Sequence, residues 1–115
     1  MFKQKERVEK MKIAIPSTGE TLTSPVSDTL GRSPFLIIYD STSEEYDSIE
    51  NPGFQIQDGS GQKATDIILQ NEVSVLLTRE IGRKAYSILQ REHININLLK
   101  AEGTVKSAIK KFLKK

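Results

Sequence analysis

The sequence predicts one α/β domain in which a five-stranded mixed sheet lies between helices, a three-layer sandwich. Three observations lead to this fold class. Strand-like segments alternate with segments of helical apolar spacing in the second half of the chain, and two strand-like segments in the first half are joined by a short polar turn. The chain has 115 residues, of which 37% are hydrophobic, and this is enough for one core.

The first half of the chain predicts three strands and one long loop. Residues 1–10, MFKQKERVEK, are mostly charged, and we interpret them as an extension before a domain of residues 11–115. The first strand is KIAIP, which Pro16 is expected to end. The polar loop STGETLTSPVSDTLGRS follows, and loops of this length in compact domains are usually functional or disordered. An apolar strand, Phe35–Asp40, then turns at STSEE into a more polar strand, Tyr46–Glu50, which is expected at the sheet edge.

The second half predicts three helices separated by two strands. Helical segments are SGQKATDIILQNE, with Ser60 as a candidate N-cap, then GRKAYSILQRE, and finally the segment that follows Gly103-Thr104. The strands between them are VSVLLT and ININLL. The apolar residues expected to share a buried helical face are Ala64, Ile67 and Ile68 in the first helix, Ala85, Ile88 and Leu89 in the second, and Val105, Ala108, Ile109, Phe112 and Leu113 in the third.

Topology rules turn this order of elements into a sheet. Strands one to three should meander antiparallel, and two right-handed crossovers should then place strands four and five beside strand one. The sheet order is therefore 3-2-1-4-5 with only strand 2 antiparallel, which is the arrangement of the ribonuclease H-like fold. The first two helices should cover one face and the third helix the other. Strands one and four then end side by side, and ligands of open α/β sheets tend to sit in such a crevice.

Composition and charge exclude several classes of function. Seventeen Lys and Arg against fifteen Asp and Glu give a net charge of +2, which is too balanced for a dedicated nucleic-acid binder. Weak nucleic-acid binding through the lysine-rich chain ends is left as a minor alternative. The chain has no cysteine, so it has no disulfides and no thiolate metal site. Its apolar runs are too short to cross a bilayer and its N-terminus lacks a signal-peptide core, so a cytoplasmic protein is expected.

A metal-dependent nuclease, one activity that the fold supports, is not favoured. Phosphodiester hydrolysis of that kind needs several carboxylates at the sheet centre to hold divalent metals. Neither KIAIP nor VSVLLT carries an acidic residue. The serines also lack a nearby histidine base in any motif, so nucleophilic catalysis has little support and no enzymatic activity is expected.

Several segments together carry a resemblance to a known family. MKIAIP, SPVSDTLGRSPFLIIYD, ENPG, the Gly-Ser-Gly opening of the first helix, VSVLLTREIGRKAY and EGTVKSAIKKFL resemble the dinitrogenase iron-molybdenum cofactor biosynthesis family from Met11 nearly to the C-terminus. The resemblance implies a small carrier of the iron-molybdenum cofactor or of its metal-sulfur precursors. Binding, rather than catalysis, is the implied function, with a partner protein in cofactor delivery.

The chain departs from the family pattern at three places. It has Thr29-Leu30-Gly31-Arg32 where the family commonly has His-Phe-Gly-Arg, and Asp58 where a His often precedes the helix glycines. Arg79-Glu80-Ile81-Gly82 stands where a Gly-Gly-Ile-Gly turn is usual. The resemblance therefore implies a site without the two histidines, and the residues that are present suit an anion rather than a directly ligated metal.

The candidate binding residues combine cations, hydroxyls and helix starts. Arginines offer charge-assisted hydrogen bonds, and N–H groups at helix starts favour negative charge. The full set is Ser17, Thr18, Gly31, Arg32, Gly59, Ser60, Gly61, Arg79, Gly82 and Arg83.

Structural interpretations of the same residues stay open. Arg32 is equally well explained as a solvated charge paired with Asp28. Glycines at the helix start are also ordinary turn residues, and Arg79 and Arg83 also fit a solvated face neutralised by Glu80. The alternative function is a protein-interaction or regulatory module that has lost the ancestral ligand. An exposed apolar patch on the edge strand or the third helix would indicate that alternative.

Overall fold

The computed structural model describes residues 11–55 and 60–114. It contains five strands and three α-helices. In chain order they are β1 Lys12–Ser17, β2 Phe35–Asp40, β3 Tyr46–Glu50, a short 3-10 helix Pro52–Gln55, α1 Ser60–Gln70, β4 Val75–Thr78, α2 Arg83–Arg91, β5 Asn95–Leu98 and α3 Val105–Lys114. The predicted extension, residues 1–10, lies outside the described residues.

The sheet order is β3-β2-β1-β4-β5, as the sequence predicts. β2 pairs antiparallel with both β1 and β3, whereas β4 lies parallel to β1 and β5 parallel to β4. β3 is an edge strand, and four of its five residues are exposed. The predicted hairpin and both crossovers are confirmed, so β1 and β4 end at the same edge of the sheet.

Alternation along the strands divides the core into two clusters, one on each face of the sheet. Ala14 and Leu36 belong to the cluster that α1 and α2 cover, through Ala64, Ile68 and Leu89. Neighbouring strand residues point the other way and pack against α3; this second cluster contains Ile13, Ile15, Ile37, Leu77, Val105, Ala108 and Ile109. Two helices therefore cover one face and the third covers the other, as expected for three layers.

Three strands differ in their bounds from the sequence prediction, and of these β5 is one residue shorter at each end than ININLL. β1 continues through Pro16 to Ser17 instead of ending at the proline. Pro16 lies beyond the residues of β1 that pair with β4, so its missing N–H does not interrupt the parallel pairing. β4 begins at Val75, two residues later than VSVLLT predicts, although Val73 is already buried in the cluster under α1 and α2.

One predicted core residue is on the surface. The apolar face of α3 was expected to include Leu113, but 40% of that residue is exposed, whereas Val105, Ala108 and Ile109 are buried. The apolar stripe of α3 is thus wider than the part of the sheet that it covers.

Candidate functional site

The long loop after β1 passes over the carboxyl edge of the sheet, from the α3 face to the α1/α2 face. Val26 packs in the cluster under α3, whereas Leu30 packs in the cluster under α1 and α2. The Ser27 N–H donates to the Pro16 carbonyl at 2.9 Å, which fastens the middle of the loop to the end of β1.

The same loop is fastened to the residues that follow β4. The Leu30 N–H donates to the Glu80 carbonyl at 3.0 Å, and the Glu80 N–H donates to the Asp28 carbonyl at 3.1 Å. Loop backbone therefore fills the space directly beyond β1 and β4, where the sequence places a ligand crevice.

Three further hydrogen bonds fasten the loop to α3. The Val26 N–H donates to the Gly103 carbonyl, and the N–H groups of Val105 and Lys106 donate to the carbonyls of Ser24 and Leu22. Helix starts carry N–H groups with no partner inside the helix, and the loop supplies acceptors for two of them. With the anchors at β1 and β4, these bonds hold the loop at three elements.

The candidate hydroxyls at the beginning of the loop are used within the loop itself. Ser17 is fully buried, and its Oγ donates to the Gly19 carbonyl at 2.7 Å and accepts from the Gly19 N–H at 3.2 Å. The Thr18 Oγ1 donates to the Pro25 carbonyl at 3.1 Å. In this arrangement both hydroxyls shape the loop, and direct ligand contact through Ser17 and Thr18 stays a prediction.

Gly31 and Arg32 form the middle of a turn that a buried asparagine holds in place. Asn51 is 3% exposed, and its Nδ2 donates to the carbonyls of Ser33 at 2.9 Å, Gly31 at 3.2 Å and Leu30 at 3.4 Å. The Asn51 N–H also donates to the Pro34 carbonyl. Asn51, the residue that follows the edge strand β3, thus determines where the Arg32 backbone lies, and the exposed Arg32 side chain extends from a fixed turn.

Sequence reasoning did not identify Asn51. Its only sequence signal is the ENPG segment, which is part of the family resemblance and whose Asn-Pro-Gly residues are typical of a turn. The Asn51 Oδ1 accepts from the Gly53 N–H at 3.1 Å, which is the local hydrogen bond that makes an Asn-Pro-Gly segment turn. The contacts to Leu30, Gly31 and Ser33 join residues 18 to 21 positions away, and the local sequence does not show them.

Arg79 pairs with the loop residue Asp28. Its Nη1 lies 2.7 Å from the Asp28 Oδ1, and the arginine side chain is 26% exposed against 85% for the aspartate. Such a solvated pair is worth about 1 kcal/mol or less. Asp28 was expected as a partner of Arg32, whereas the structure pairs it with Arg79. The pair adds a side-chain contact between the loop and the end of β4.

Gly61, Gly82 and Arg83 lie together in a cleft between the first turns of α1 and α2. We call it the helix-start cleft; its volume is about 490 Å³, and its lining also includes Gln62, Thr65 and Lys84. α2 begins with Gly82 as N-cap, in extended conformation and without a side-chain cap. A Cβ at Gly82 would meet no atom within 4 Å, and one at Gly61 would only touch the Ala85 Cβ at 3.7 Å. Neither glycine is thus required by close packing within the protein.

The other two residues expected at this helix start are Gly59 and Ser60. α1 begins at Ser60, but the Ser60 side chain and Gly59 lie outside the described residues. Their roles as N-cap and N–H donors remain predictions.

The donor atoms of the helix-start cleft suit an anion and not a soft metal ion. Its described lining carries Arg83 and Lys84 and no carboxylate. Among residues 11–55 and 60–114 there is no group of three or more His, Asp or Glu side chains placed to hold a metal. His93 follows the far end of α2, about 13 Å along the helix from its start. Hydrogen bonds and charge, rather than coordination, are what this site offers a ligand.

Comparison with known proteins shows one family over the whole domain. The family described as dinitrogenase iron-molybdenum cofactor matches residues 11–115. A search of curated proteins finds no significant match. None of the helices in the described ranges has the length and apolar content needed to cross a membrane.

Solved structures show the same fold. The apo form of the orange protein from Desulfovibrio gigas is 26% identical, with a TM-score of 0.83 and coverage of 92% of this chain and 89% of that chain. A putative NifB protein from Thermotoga, of the DUF35 family, is 32% identical, with a TM-score of 0.79 and coverage of 90% and 88%. A putative dinitrogenase from Methanocaldococcus jannaschii shares the fold at 15% identity, with a TM-score of 0.65 and coverage of 93% and 91%.

Proposed function

Because the chain belongs to the dinitrogenase iron-molybdenum cofactor family over residues 11–115, we propose that it is a small, non-enzymatic binding protein that carries an anionic ligand. The ligand class is an anionic metal-sulfur cofactor or precursor, such as those of iron-molybdenum cofactor biosynthesis. The ligand is cargo, held at the carboxyl edge of the sheet, and the protein works in the cytoplasm.

The observation that carries this proposal is the charge of the helix-start cleft. Arg83 and Lys84 line it, and the uncapped start of α2 adds N–H groups and the positive end of the helix dipole. The chain as a whole has a net charge of only +2, so this local concentration of positive charge is not a consequence of composition. A negatively charged group in this cleft can therefore accept hydrogen bonds from cationic side chains and from N–H groups at the start of α2.

The long loop offers a further cation, Arg32, on the same side of the sheet as the helix-start cleft. Leu30 packs in the same core cluster as Ala64 and Ala85, so the turn that carries Arg32 lies on the cleft's side of the sheet. The turn is held by Asn51, and an arginine on a rigid turn loses less side-chain and backbone entropy on binding. Arg79 adds a guanidinium of which one donor is used by Asp28.

The relatives support the same class of ligand. The similar protein from Desulfovibrio gigas is described as an apo form, a term for a protein that takes up a cofactor or metal. The family is named for the iron-molybdenum cofactor. In this chain the expected histidine positions hold Thr29 and Asp58, so recognition rests on charge and hydrogen bonds.

The test is anion titration. Sulfate, phosphate and tetrathiomolybdate are titrated into wild type and the variants Arg32→Ala, Arg79→Ala and Arg83→Ala, with calorimetry as the readout. A charge-assisted hydrogen bond contributes about 1.5–3 kcal/mol, so each lost contact should weaken tetrathiomolybdate by about ten- to a hundredfold. Arg91→Ala is the matched control, since it removes an exposed arginine from the opposite end of α2.

A second variant changes affinity in the opposite direction. Asp28→Asn removes the carboxylate that holds Arg79 and leaves the side-chain size unchanged, so anion affinity should rise. If no anion binds wild type, or if the cleft variants bind as tightly as Arg91→Ala, the carrier proposal is wrong. Native mass spectrometry of anaerobically purified protein identifies the cargo that remains bound.

The alternative is a protein-interaction or regulatory module without a ligand. Exposed apolar residues on the expected elements favour it: Leu113 on α3 is 40% exposed, and Tyr46 on the edge strand is 37% exposed. If no anion binds wild type, the exposed apolar residues on α3 and on the edge strand would favour this alternative.

A further inference from the structure

A second concave surface lies on the other face of the sheet, between α3, the early part of the long loop and the β2–β3 hairpin. We call it the α3 groove. Its apolar floor is formed by Leu22, Tyr39, Ile109 and Leu113, and its volume is about 740 Å³. The helix-start cleft is smaller, at about 490 Å³, and lies between α1 and α2 on the opposite face of the sheet.

The floor of the α3 groove is not fully covered by the protein. Leu113 is 40% exposed although it belongs to the apolar stripe of α3. Tyr46 stands opposite Tyr39 in the β2–β3 ladder, so the two rings share a face, and Tyr46 is 37% exposed. Exposed apolar area thus lies in the groove at Leu113, and Tyr46, which does not line the groove, adds exposed apolar area on the hairpin.

The rim of the groove carries a lysine stripe, which consists of Lys106, Lys110 and Lys114. These residues are spaced by four positions along α3, so they lie one above another on the same helical face. Like charges at this spacing destabilise a helix by about 0.2–0.5 kcal/mol per pair. Across residues 11–55 and 60–114, no salt bridge links these lysines to an acidic residue, and Glu44 is the single acidic residue lining the groove.

Favourable interaction with the helix dipole explains only part of the stripe. Lys114 is in the last turn, where a cation is stabilising. Lys106 is the second residue of α3 and stands at the positive end of the dipole, where a cation is unfavourable. No contact within the described protein explains a cation there, whereas an external anionic group would explain the whole stripe.

We propose that the α3 groove binds an acidic amphipathic helix of a partner protein. Apolar side chains one turn apart enter the floor at Tyr39, Ile109 and Leu113, and carboxylates of the same helix meet the lysine stripe. The stripe covers eight residue steps, about 12 Å, and carboxylates four residues apart on a helix lying beside α3 have the same spacing of about 6 Å.

The shape and chemistry of the groove favour this occupant over others. A lipid headgroup layer is flat and does not fill a concave floor, and a phosphate backbone gains nothing from leucine and isoleucine side chains. An acidic peptide satisfies the floor and the rim together. The proposal does not depend on the anion site, because the residues of the α3 groove lie on the opposite face from the helix-start cleft, and the partner leaves that cleft open.

The test is peptide selection with a charge-reversed competitor. A phage-displayed library of random 18-residue peptides is selected on immobilised wild type, with the triple variant Lys106→Glu, Lys110→Glu and Lys114→Glu in solution as counter-selection. The expected result is enrichment of sequences with acidic residues beside leucine, isoleucine or phenylalanine at helical spacing. Amide chemical shifts of labelled protein should then change along α3 and the hairpin on addition of the enriched peptide.

Single variants test the contacts. For the enriched peptide, we expect Lys110→Glu and Leu113→Ser to weaken binding at least tenfold by fluorescence anisotropy. Lys63→Glu reverses an exposed lysine on α1 and should change affinity by less than twofold. Circular dichroism confirms that each variant is folded, which is expected because all three side chains are exposed.

Several outcomes overturn the proposal. They are the absence of enrichment, enriched peptides without excess acid, shifts confined to the α1/α2 face, or equal losses for Lys63→Glu and Lys110→Glu. Tighter binding of phosphatidylglycerol vesicles or duplex DNA than of any selected peptide would assign the groove to lipid or nucleic acid. Concentration-dependent dimerisation lost in Leu113→Ser would assign it to a second copy of the chain.

Discussion

The turn that carries Arg32 should be destabilised when the Asn51 amide is replaced by a carboxylate. Asn51→Asp keeps the side-chain size and keeps Oδ1 as acceptor for the Gly53 N–H. It replaces the Nδ2 donor with an oxygen that faces the carbonyls of Ser33 and Gly31. The site is 3% exposed, so water does not replace the lost donor without opening the turn.

The magnitude follows from the hydrogen bonds that are lost. An NH₂ group has two hydrogens, so we count the two shorter contacts, at 2.9 Å to the Ser33 carbonyl and 3.2 Å to the Gly31 carbonyl, as the hydrogen bonds that are lost. Each net hydrogen bond contributes about 1 kcal/mol, and a buried acceptor left without a donor costs about 1–3 kcal/mol. We expect the free energy of unfolding to fall by about 2–4 kcal/mol, which corresponds to a melting temperature lowered by about 10–20 °C for a domain of this size.

The loss should depend on pH, because the new carboxyl group is buried among carbonyl oxygens. Burial and these oxygens disfavour the charged form, which raises the pKa of the Asp in the folded variant above its unfolded value. A raised folded pKa gives a contribution that is present below the unfolded pKa and lost as pH rises through the folded pKa. The stability deficit of Asn51→Asp should therefore be larger at pH 7 than at pH 4, where the protonated acid donates to one carbonyl.

The assay is urea and thermal unfolding followed by circular dichroism at both pH values. Asn95→Asp is the control, since Asn95 is an exposed asparagine on β5. A second readout is tetrathiomolybdate affinity in a double-mutant cycle with Arg32→Ala, in which the effect of Asn51→Asp should disappear if Asn51 acts by placing Arg32. A melting temperature lowered by less than about 3 °C, or by the same amount in Asn95→Asp, would refute the role of the amide.

Three further predictions concern the rest of the chain. Burial, with smaller contributions from Glu44 and Asp40, raises the pKa of Tyr39 above its ordinary value of about 10, so stability should fall as pH rises beyond that value. Urea unfolding from pH 8 to 11 should show a smaller loss for Tyr39→Phe than for wild type, and equal losses would contradict this cause. Anaerobically purified protein should hold no stoichiometric metal through its own side chains, since the chain has no cysteine and one histidine; elemental analysis that finds one tightly held iron or zinc would contradict this. Protein beginning at Met11 should keep the melting temperature of the full chain because residues 1–10 are mostly charged and contain few large apolar side chains, and a large drop would show that they dock on the domain.

Most of the fold was predictable from local patterns. Periods of two and 3.6 residues in the apolar pattern identified the elements, and the hairpin turn with two right-handed crossovers left the sheet order 3-2-1-4-5. The errors lie at element ends, at Pro16 and Val75, where neighbouring strands decide how far a ladder continues. Leu113 fits the helical period, yet 40% of it is exposed, because burial depends on which segments the folded chain packs against α3.

The candidate site was predictable in its residue types and less so in its pairings. Cations and glycines near strand ends indicated an anion site, and three of those residues, Gly61, Gly82 and Arg83, share a cleft. Arg79 and Asp28 are 51 positions apart, and their pairing depends on where the loop crosses β4. Ser17 and Thr18 bear the hydroxyls that an anion site uses, but the loop geometry turns both hydroxyls onto carbonyl groups.

The sequence determined the elements and the residue types of the site, but not their pairings, because side-chain period, charge and backbone freedom are local properties. They establish the strands, the helices, the lack of thiolate ligands and the positive groups near the sheet edge before any folding is considered. Long-range pairing is different: whether a donor is free for a ligand depends on which acceptor the folded chain brings within about 3 Å of it. Asn51 on the turn of Arg32, Asp28 on Arg79 and the unfilled floor beside Leu113 are all of this kind, since each results from packing between segments distant in sequence.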